Sequence, residues 1–474
     1  MYDISLMAPK VRVLLWFDTE DYILPASDDA LLRLALFLTG EGIRATFKLV
    51  GEKARVLERR GRNDAITALK KHEIGYHTDF HSIPPTPAQY LANLGWDSGV
   101  AEFDRRERGG FGDVRRIFGV TPSCYGQPGS SWAPQAYGAM KNWGVGVYLD
   151  AGRHVDLDGR PCFYCGALNL LRLTHTIRTE LGRPADLPAA ESRFTAARAS
   201  LLAEGGGLVS VYYHPCEFVH RRFWDGVNFA KGANPPREKW RLPPVKAAAG
   251  TRTAFANYEG FVRFMKKHAD VEFITARQAA DLYRDGAQVR EFDRVELIEI
   301  AKRAGGDAGY QEYPGWALAA SEVFALLNEV VTERGKSAVV LKSTPLGPVD
   351  PSPAMKISLT VERSQFLRTT ADIADHLRTT CRIPSVVWVG SRPVPPESYL
   401  RSLASVASLQ LAGRQVPERI GLRPARLAAG KHVAPDSPGL WGWTIFPPGF
   451  RAPEMMELAR RQAWTLKPAL LRQQ

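Results

Sequence analysis

Between residues 10 and 285, short apolar runs alternate with amphipathic stretches, and three of the runs end in clusters of acids or histidines. Residues 11–17 (VRVLLWF) suit a buried strand, and residues 28–43 (DDALLRLALFLTGEGI) carry helical periodicity with Asp28 or Asp29 placed to cap it. Residues 45–51 (ATFKLVG) read as a second strand, 64–73 as a helix and 73–78 (EIGYHT) as a short strand. Residues 100–119 are helical but broken at the pair Gly109-Gly110. A loop at 123–134, a helix at 136–144, a strand at 145–150 and a helix at 192–206 follow. Residues 207–215 (GLVSVYYHP) form a strand, and 257–283 close the series as helix, strand, helix. Strands that alternate with helices and end in polar side chains predict an α/β fold with a parallel sheet or barrel, whose site gathers at the C-terminal strand ends. The interval 220–257, rich in Pro, Gly and Trp, has no clear periodicity and reads as a lid or binding wall.

The chain has 474 residues, enough for two or three domains at roughly 150 residues each. A 45% hydrophobic and 24% charged composition excludes a disordered chain. No apolar run reaches the roughly 18 residues of a membrane-crossing helix, and the first residues, MYDISLMAPK, show no secretory-signal pattern. Localisation therefore stays open from the sequence.

The net charge is +12, and the last 74 residues hold 11 basic against 4 acidic side chains. No nucleic-acid-binding pattern accompanies that excess. A basic surface for acidic polymers such as cell-wall material is open, and so is a basic surface with no role. The spacing Cys162-Phe163-Tyr164-Cys165 lacks the second pair that a zinc ribbon needs, so the five cysteines read as ordinary thiols.

Residues 1–289 are expected to form one unit and residues 290–474 a smaller, mainly helical accessory domain. In the latter, SEVFALLNEV and ADIADHLRTT suggest two degenerate copies of a small helical unit.

Three clusters sit at predicted strand ends: Asp18-Thr19-Glu20-Asp21, His77-Thr78-Asp79-Phe80-His81 and His214-Pro215-Cys216-Glu217. The two histidines four apart would share one side of a helical turn, and a carboxylate from another strand end could complete a two-His, one-carboxylate metal site. Amide hydrolysis needs such a set: an ion to acidify water, a base, an oxyanion donor and an acid for the leaving amine.

The order of an acidic strand end, an H-T-x-x-H, a Pro-Gly loop and a late His-Pro resembles the polysaccharide deacetylases of the NodB-homology group, related to carbohydrate esterase family 4, over residues 10–285. The resemblance implies a distorted (β/α) barrel and a divalent metal, zinc before others. It also implies an N-acetylated glycan as substrate and an extracytoplasmic or cell-wall setting. It makes Asp18 the catalytic base, His77 and His81 metal ligands and His214 the general acid. The metal carboxylate is Glu20 or Asp21, and strand alternation puts Glu20 on the side of Asp18. Gln127, Pro128, Gly129 and Trp132 fall in the substrate-binding loop, where a backbone amide near Gly129 could donate to the oxyanion. The sequence departs from the group in two places. Asp-Thr-Glu-Asp replaces adjacent acids, and Gly126 stands where an arginine usually orients the base. Hydrolysis of a small cyclic amide and a non-catalytic carbohydrate-binding role are the competing readings. Residues 290–474 weakly resemble pseudomurein-binding repeats.

Overall fold

The structure, a computed structural model, describes residues 9–471; the first eight residues, on which part of the leader reading falls, lie outside the described residues. Ten strands of the first half are β1 (Val11–Thr19), β2 (Thr46–Leu49), β3 (Glu73–Tyr76), β4 (Cys124–Tyr125), β5 (Val147–Leu149), β6 (Cys162–Tyr164), β7 (Ala167–Leu170), β8 (Thr176–Ile177), β9 (Gly207–Tyr213) and β10 (Val271–Ile274). With Lys467–Pro468 from the far end of the chain they form one curled, 11-stranded sheet, ordered 467–468, β6, β7, β5, β4, β3, β2, β1, β9, β8. β1 is its centre. One edge pairs with β9, while the other is shared by β10 over Val11–Leu14 and β2 over Trp16–Thr19. From β7 through β8 every neighbouring pair is parallel, and only β6 and Lys467–Pro468 run against the rest. All nine residues of β1 are buried, as expected of a parallel strand covered on both faces. The result is an α/β fold, a distorted (β/α) barrel with a helical region beyond it.

The helix expected to break at Gly109-Gly110 runs unbroken from Trp96 to Phe118. A Cβ at Gly110 would lie 2.4 Å from Asp79 Oδ1, so this glycine makes room for a neighbouring loop rather than ending a helix.

A second core gathers residues from Ala287 to Leu422, with Trp464 added. It is built twice in the same order. A strand (Glu291–Phe292), helix (Arg294–Arg303), hairpin (Gln311–Leu318) and helix (Ala320–Thr332) end in Val339–Val340, which pairs back to the first strand. Leu359–Glu362, Arg363–Thr380, the hairpin Val387–Val394 and Pro396–Leu411 repeat the sequence, closed by Arg419–Leu422. The chain then returns to the barrel, where Val433, Trp441, Phe446, Met455 and Leu466 join the first core. All five cysteines are free, and burial pushes the Cys162 thiol up to about 12 and raises those of Cys124, Cys165 and Cys216 as well. Among the described residues no helix is long and apolar enough to cross a membrane.

Candidate metal centre and cavity

The C-terminal ends of β1, β3 and β9 converge on a cavity of about 580 Å³, lined by Asp18, Glu20, His77, His81 and His214 among others. Parallel strands deliver their C-terminal ends to one face, which brings together residues almost 200 positions apart in sequence.

His77 and His81 do not share a helical turn. They sit on a loop in which Thr78 and His81 adopt left-handed φ values of 65° and 55°. Such residues persist only where their surroundings impose the conformation. Here the first amides of the helix Gly51–Arg59 grip the loop, Gly51 N–H donating to Thr78 O (2.9 Å) and Glu52 N–H to Asp79 O (2.8 Å). Asp79 itself points away, to Arg55 at 2.6 Å.

Ligand atoms of Glu20, His77 and His81 all lie within 4.8 Å of one another, and all three residues are buried. His77 Nδ1 is bonded to Gly126 O (2.9 Å) and His81 Nδ1 to Ser82 Oγ (2.5 Å), which leaves each Nε2 as the free nitrogen. His81 Nε2 lies 2.8 Å from Glu20 Oε2, yet the two are not aligned as donor and acceptor, so the nitrogen is buried without a hydrogen bond. Two imidazoles and a carboxylate, with outer nitrogens fixed by second partners, fit a divalent ion with open positions. Burial pulls His77 down to about 3, keeping it neutral as a ligand must be. Burial would raise Glu20, but the adjoining His81 outweighs it and holds the carboxyl well below its usual range.

Asp21 is turned elsewhere. Its Oδ1 accepts from the amides of Ile23 (2.8 Å) and Leu24 (3.3 Å), and its Oδ2 lies 2.9 Å from His220 Nε2. A second trio, Asp18, His77 and Asp150, is also close enough for an ion, but the Lys48 ammonium stands between its carboxylates, 2.8 Å from Asp18 Oδ1 and 3.3 Å from Asp150 Oδ2.

Asp18 Oδ2 lies 3.7 Å from His214 Nε2. On its other side His214 faces Glu217, whose Oε2 is 3.7 Å from Nδ1 and whose Oε1 accepts the His214 amide at 3.0 Å. Burial works against charge on both members of the pair. For Asp18 the neighbouring His77, Lys48 and His214 outweigh burial and keep the carboxyl below its usual value. For His214 the carboxylates of Glu217, Glu20 and Asp18 prevail and keep the imidazole above its own. The geometry thus pairs a carboxylate with a protonatable imidazole on the cavity wall.

Of the loop residues, Gln127 and Gly129 line the cavity, whereas Pro128 and Trp132 do not. Trp132 is fully buried behind it, stacked on His154 at 5.0 Å. The 220–257 interval supplies Phe223 and Asp225 to the wall.

Contributors not singled out in the sequence include Lys48, Asp150, Asp225 and Trp443. Trp443 comes from the returning C-terminal segment. Its Nε1 donates to Asp225 Oδ2 (2.8 Å), its amide donates to Ser130 Oγ (3.2 Å), and its ring meets His81 edge-on at 5.3 Å. A Cβ at Gly129, where φ is 51°, would lie 2.2 Å from that ring. The one sequence signal was Lys48, a lone cation inside an apolar strand.

No family model matches the chain, and no curated protein matches it in sequence. Solved structures do show likeness. A candidate polysaccharide deacetylase from Mycobacterium smegmatis is 15% identical with a TM-score of 0.38, over 58% of this chain and 90% of its own. The Puue allantoinase is 12% identical with a TM-score of 0.37 over 58% and 90%, and a family 4 carbohydrate esterase from Streptomyces lividans, solved with acetate, is 14% identical with a TM-score of 0.29 over 56% and 92%. At such scores the functional reading rests on the site's own geometry.

Proposed function

We propose that this protein is a metal-dependent hydrolase of carbon–nitrogen bonds that removes N-acetyl groups from an amino-sugar glycan, with zinc as its ion. The observation that supports this reading is the meeting, in one cavity, of the Glu20, His77 and His81 ligand set with the Asp18–His214 pair. Glu20, His77 and His81 would hold a divalent ion, which would supply Lewis acidity toward the amide carbonyl and water.

The chain's own residues do the proton work. Asp18 takes a proton from the attacking water at Oδ2, the oxygen not engaged by Lys48. His214 delivers a proton to the leaving nitrogen, since an amine anion is too basic to depart unprotonated. Water and the N-acetyl group thus become acetate and a free amine. Glu217 flanks His214 from behind, with Oε2 3.7 Å from Nδ1 and Oε1 accepting the backbone amide. Gln127, Gly129 and Trp443 form the wall against which the sugar would lie. Residues 1–289 would carry the chemistry, and 290–474 would serve as an accessory part with access to the polymer, lending Trp443 to the wall.

Acetate release from N-acetylglucosamine oligomers, measured with and without a chelator, tests the proposal. Chelator-sensitive release is expected. Hydrolysis confined to small cyclic amides would move the assignment to that substrate class. Glycan binding with neither metal nor turnover would make the protein a carbohydrate-binding module.

A further inference from the structure

We propose that Lys48 is a positioning residue that holds Asp18 in its working orientation, in a channel that Gly75 and Gly126 keep open for it. The inference rests on the hydrolase reading above.

Asp18 and Lys48 are register partners on β1 and β2, so the two side chains leave adjacent strands side by side. Lys48 is wholly buried, and its Nζ has a full set of fixed neighbours. It lies 2.8 Å from Asp18 Oδ1, donates to Leu149 O at 2.7 Å, reaches Asp150 Oδ2 at 3.3 Å and sits 4.2 Å above the Trp16 ring. Two glycines border its path. A Cβ at Gly75 would lie 2.8 Å from Lys48 Cγ, and a Cβ at Gly126 would lie 2.1 Å from Nζ. Any other residue at Gly75 would strike the Lys48 stem as well as the Cys124 sulfur, and any other residue at Gly126 would strike the Lys48 head and Leu149 O.

Stability alone gives little reason for the arrangement. An ammonium between two buried carboxylates leaves a net negative charge out of water, and apolar residues of similar volume are often as stable or more so. What the arrangement fixes is direction. With Oδ1 engaged by Lys48, the carboxylate can turn only so as to leave Oδ2 beside His214 Nε2. Asp150 is in turn held by Gln127 Nε2 at 2.9 Å, and Gly126 O holds His77, so base, ligand and loop share one scaffold.

The test compares Lys48→Met with Lys48→Met/Asp150→Asn. The single variant leaves two carboxylates buried together and is open to misfolding; the double variant removes that fault. We expect the double variant to melt close to the wild type and to bind zinc no more weakly, because Lys48 does not touch Glu20, His77 or His81. Its kcat should fall about 10²-fold with KM within about twofold, the signature of a misdirected group. Its crystal structure should show the Asp18 carboxylate turned from His214. Wild-type kcat in the double variant, or an unmoved carboxylate, would overturn the proposal and reduce Lys48 to a neutraliser of Asp150. A wild-type protein that hydrolyses no N-acetylated probe would overturn the hydrolase reading instead, and the crystallographic comparison would still decide whether Lys48 sets Asp18.

Discussion

Glu20 and Glu322 are both buried carboxylates, one at the barrel's strand ends and one in the second core, and the chain treats them in opposite ways. Glu322 is saturated. Lys467 Nζ lies 2.8 Å from both its oxygens, the Ala319 amide and Gln288 Nε2 donate to it at 2.8 and 3.0 Å, and Thr344 adds a hydroxyl. Glu20 meets a histidine nitrogen side by side without a hydrogen bond, and near it His214 Nδ1 is likewise buried without one. Between 287 and 422, among the described residues, Arg290 Nε, Ser321 Oγ, His376 Nε2 and Gln410 Oε1 are in that position, but none of them belongs to a group of side chains spaced to hold an ion. Buried polar groups are normally satisfied, so a cluster left open at one place marks where something else is meant to bind. The second core uses charge to lock the returning C-terminal segment onto its helices. On the proposed reading, the barrel end keeps its charge for chemistry.

The contrast breaks most visibly if the wrong region governs turnover. Asp18→Asn should cut amide hydrolysis by about 10²–10⁴-fold while zinc remains bound, because the ligand set persists and the base is lost. Near-normal turnover would hand that role to another group. Glu322→Ala, which strands Lys467, should cost about 3–5 kcal/mol in urea unfolding yet leave zinc affinity unchanged. Weakened zinc binding there would mean that the two regions are coupled.

The next effect is one of pH. Glu107 lies under the histidine loop, accepting from the Asp79 amide at 2.7 Å and from Tyr76 Oη at 2.9 Å, and burial pushes its carboxyl up to about 7. The native state therefore holds this proton more tightly than the unfolded chain does. Its stabilising contribution is complete below the ordinary carboxyl value near 4.5 and is lost as the pH rises through about 7. Glu107→Gln should flatten the fall in stability between those limits by on the order of 3 kcal/mol. Parallel stability–pH curves for variant and wild type would show that the carboxyl is not buried as described.

The smallest change is expected from Trp443→Phe, which keeps an aromatic wall and removes one hydrogen bond to Asp225. KM should rise less than about tenfold, in line with about 1 kcal/mol for such a bond, with zinc affinity intact. A loss of metal would place Trp443 in the ligand scaffold rather than the wall.

Much of this was legible along the chain because β/α architecture writes its site into strand ends. Asp18 and Glu20, His77 and His81, and His214 lie at or just beyond the ends of three apolar runs, and all five meet in the cavity. The choice of Glu20 over Asp21 agrees with strand alternation, while Asp21 is drawn off by local amides and His220. What could not be read were relations that depend on approach rather than position. Gly126 looks like a missing arginine until Lys48 is found filling the space beside it from another strand. The helical placing of the two histidines failed because the neighbouring helix captures the loop's carbonyls and bends it into left-handed geometry. Trp443 lies more than 300 residues from Ser130, the loop residue its amide meets, and no local pattern announces a segment that leaves the second core to wall a site in the first.

The central claim is that Glu20, His77 and His81 hold one divalent ion. Zinc content should therefore be measured by elemental analysis after dialysis, for the wild type, for His77→Ala/His81→Ala and for Glu20→Ala beside Asp21→Ala. The account predicts one ion per wild-type chain, none in the double histidine variant, and loss with Glu20→Ala but not with Asp21→Ala. Full occupancy in the double histidine variant would contradict it.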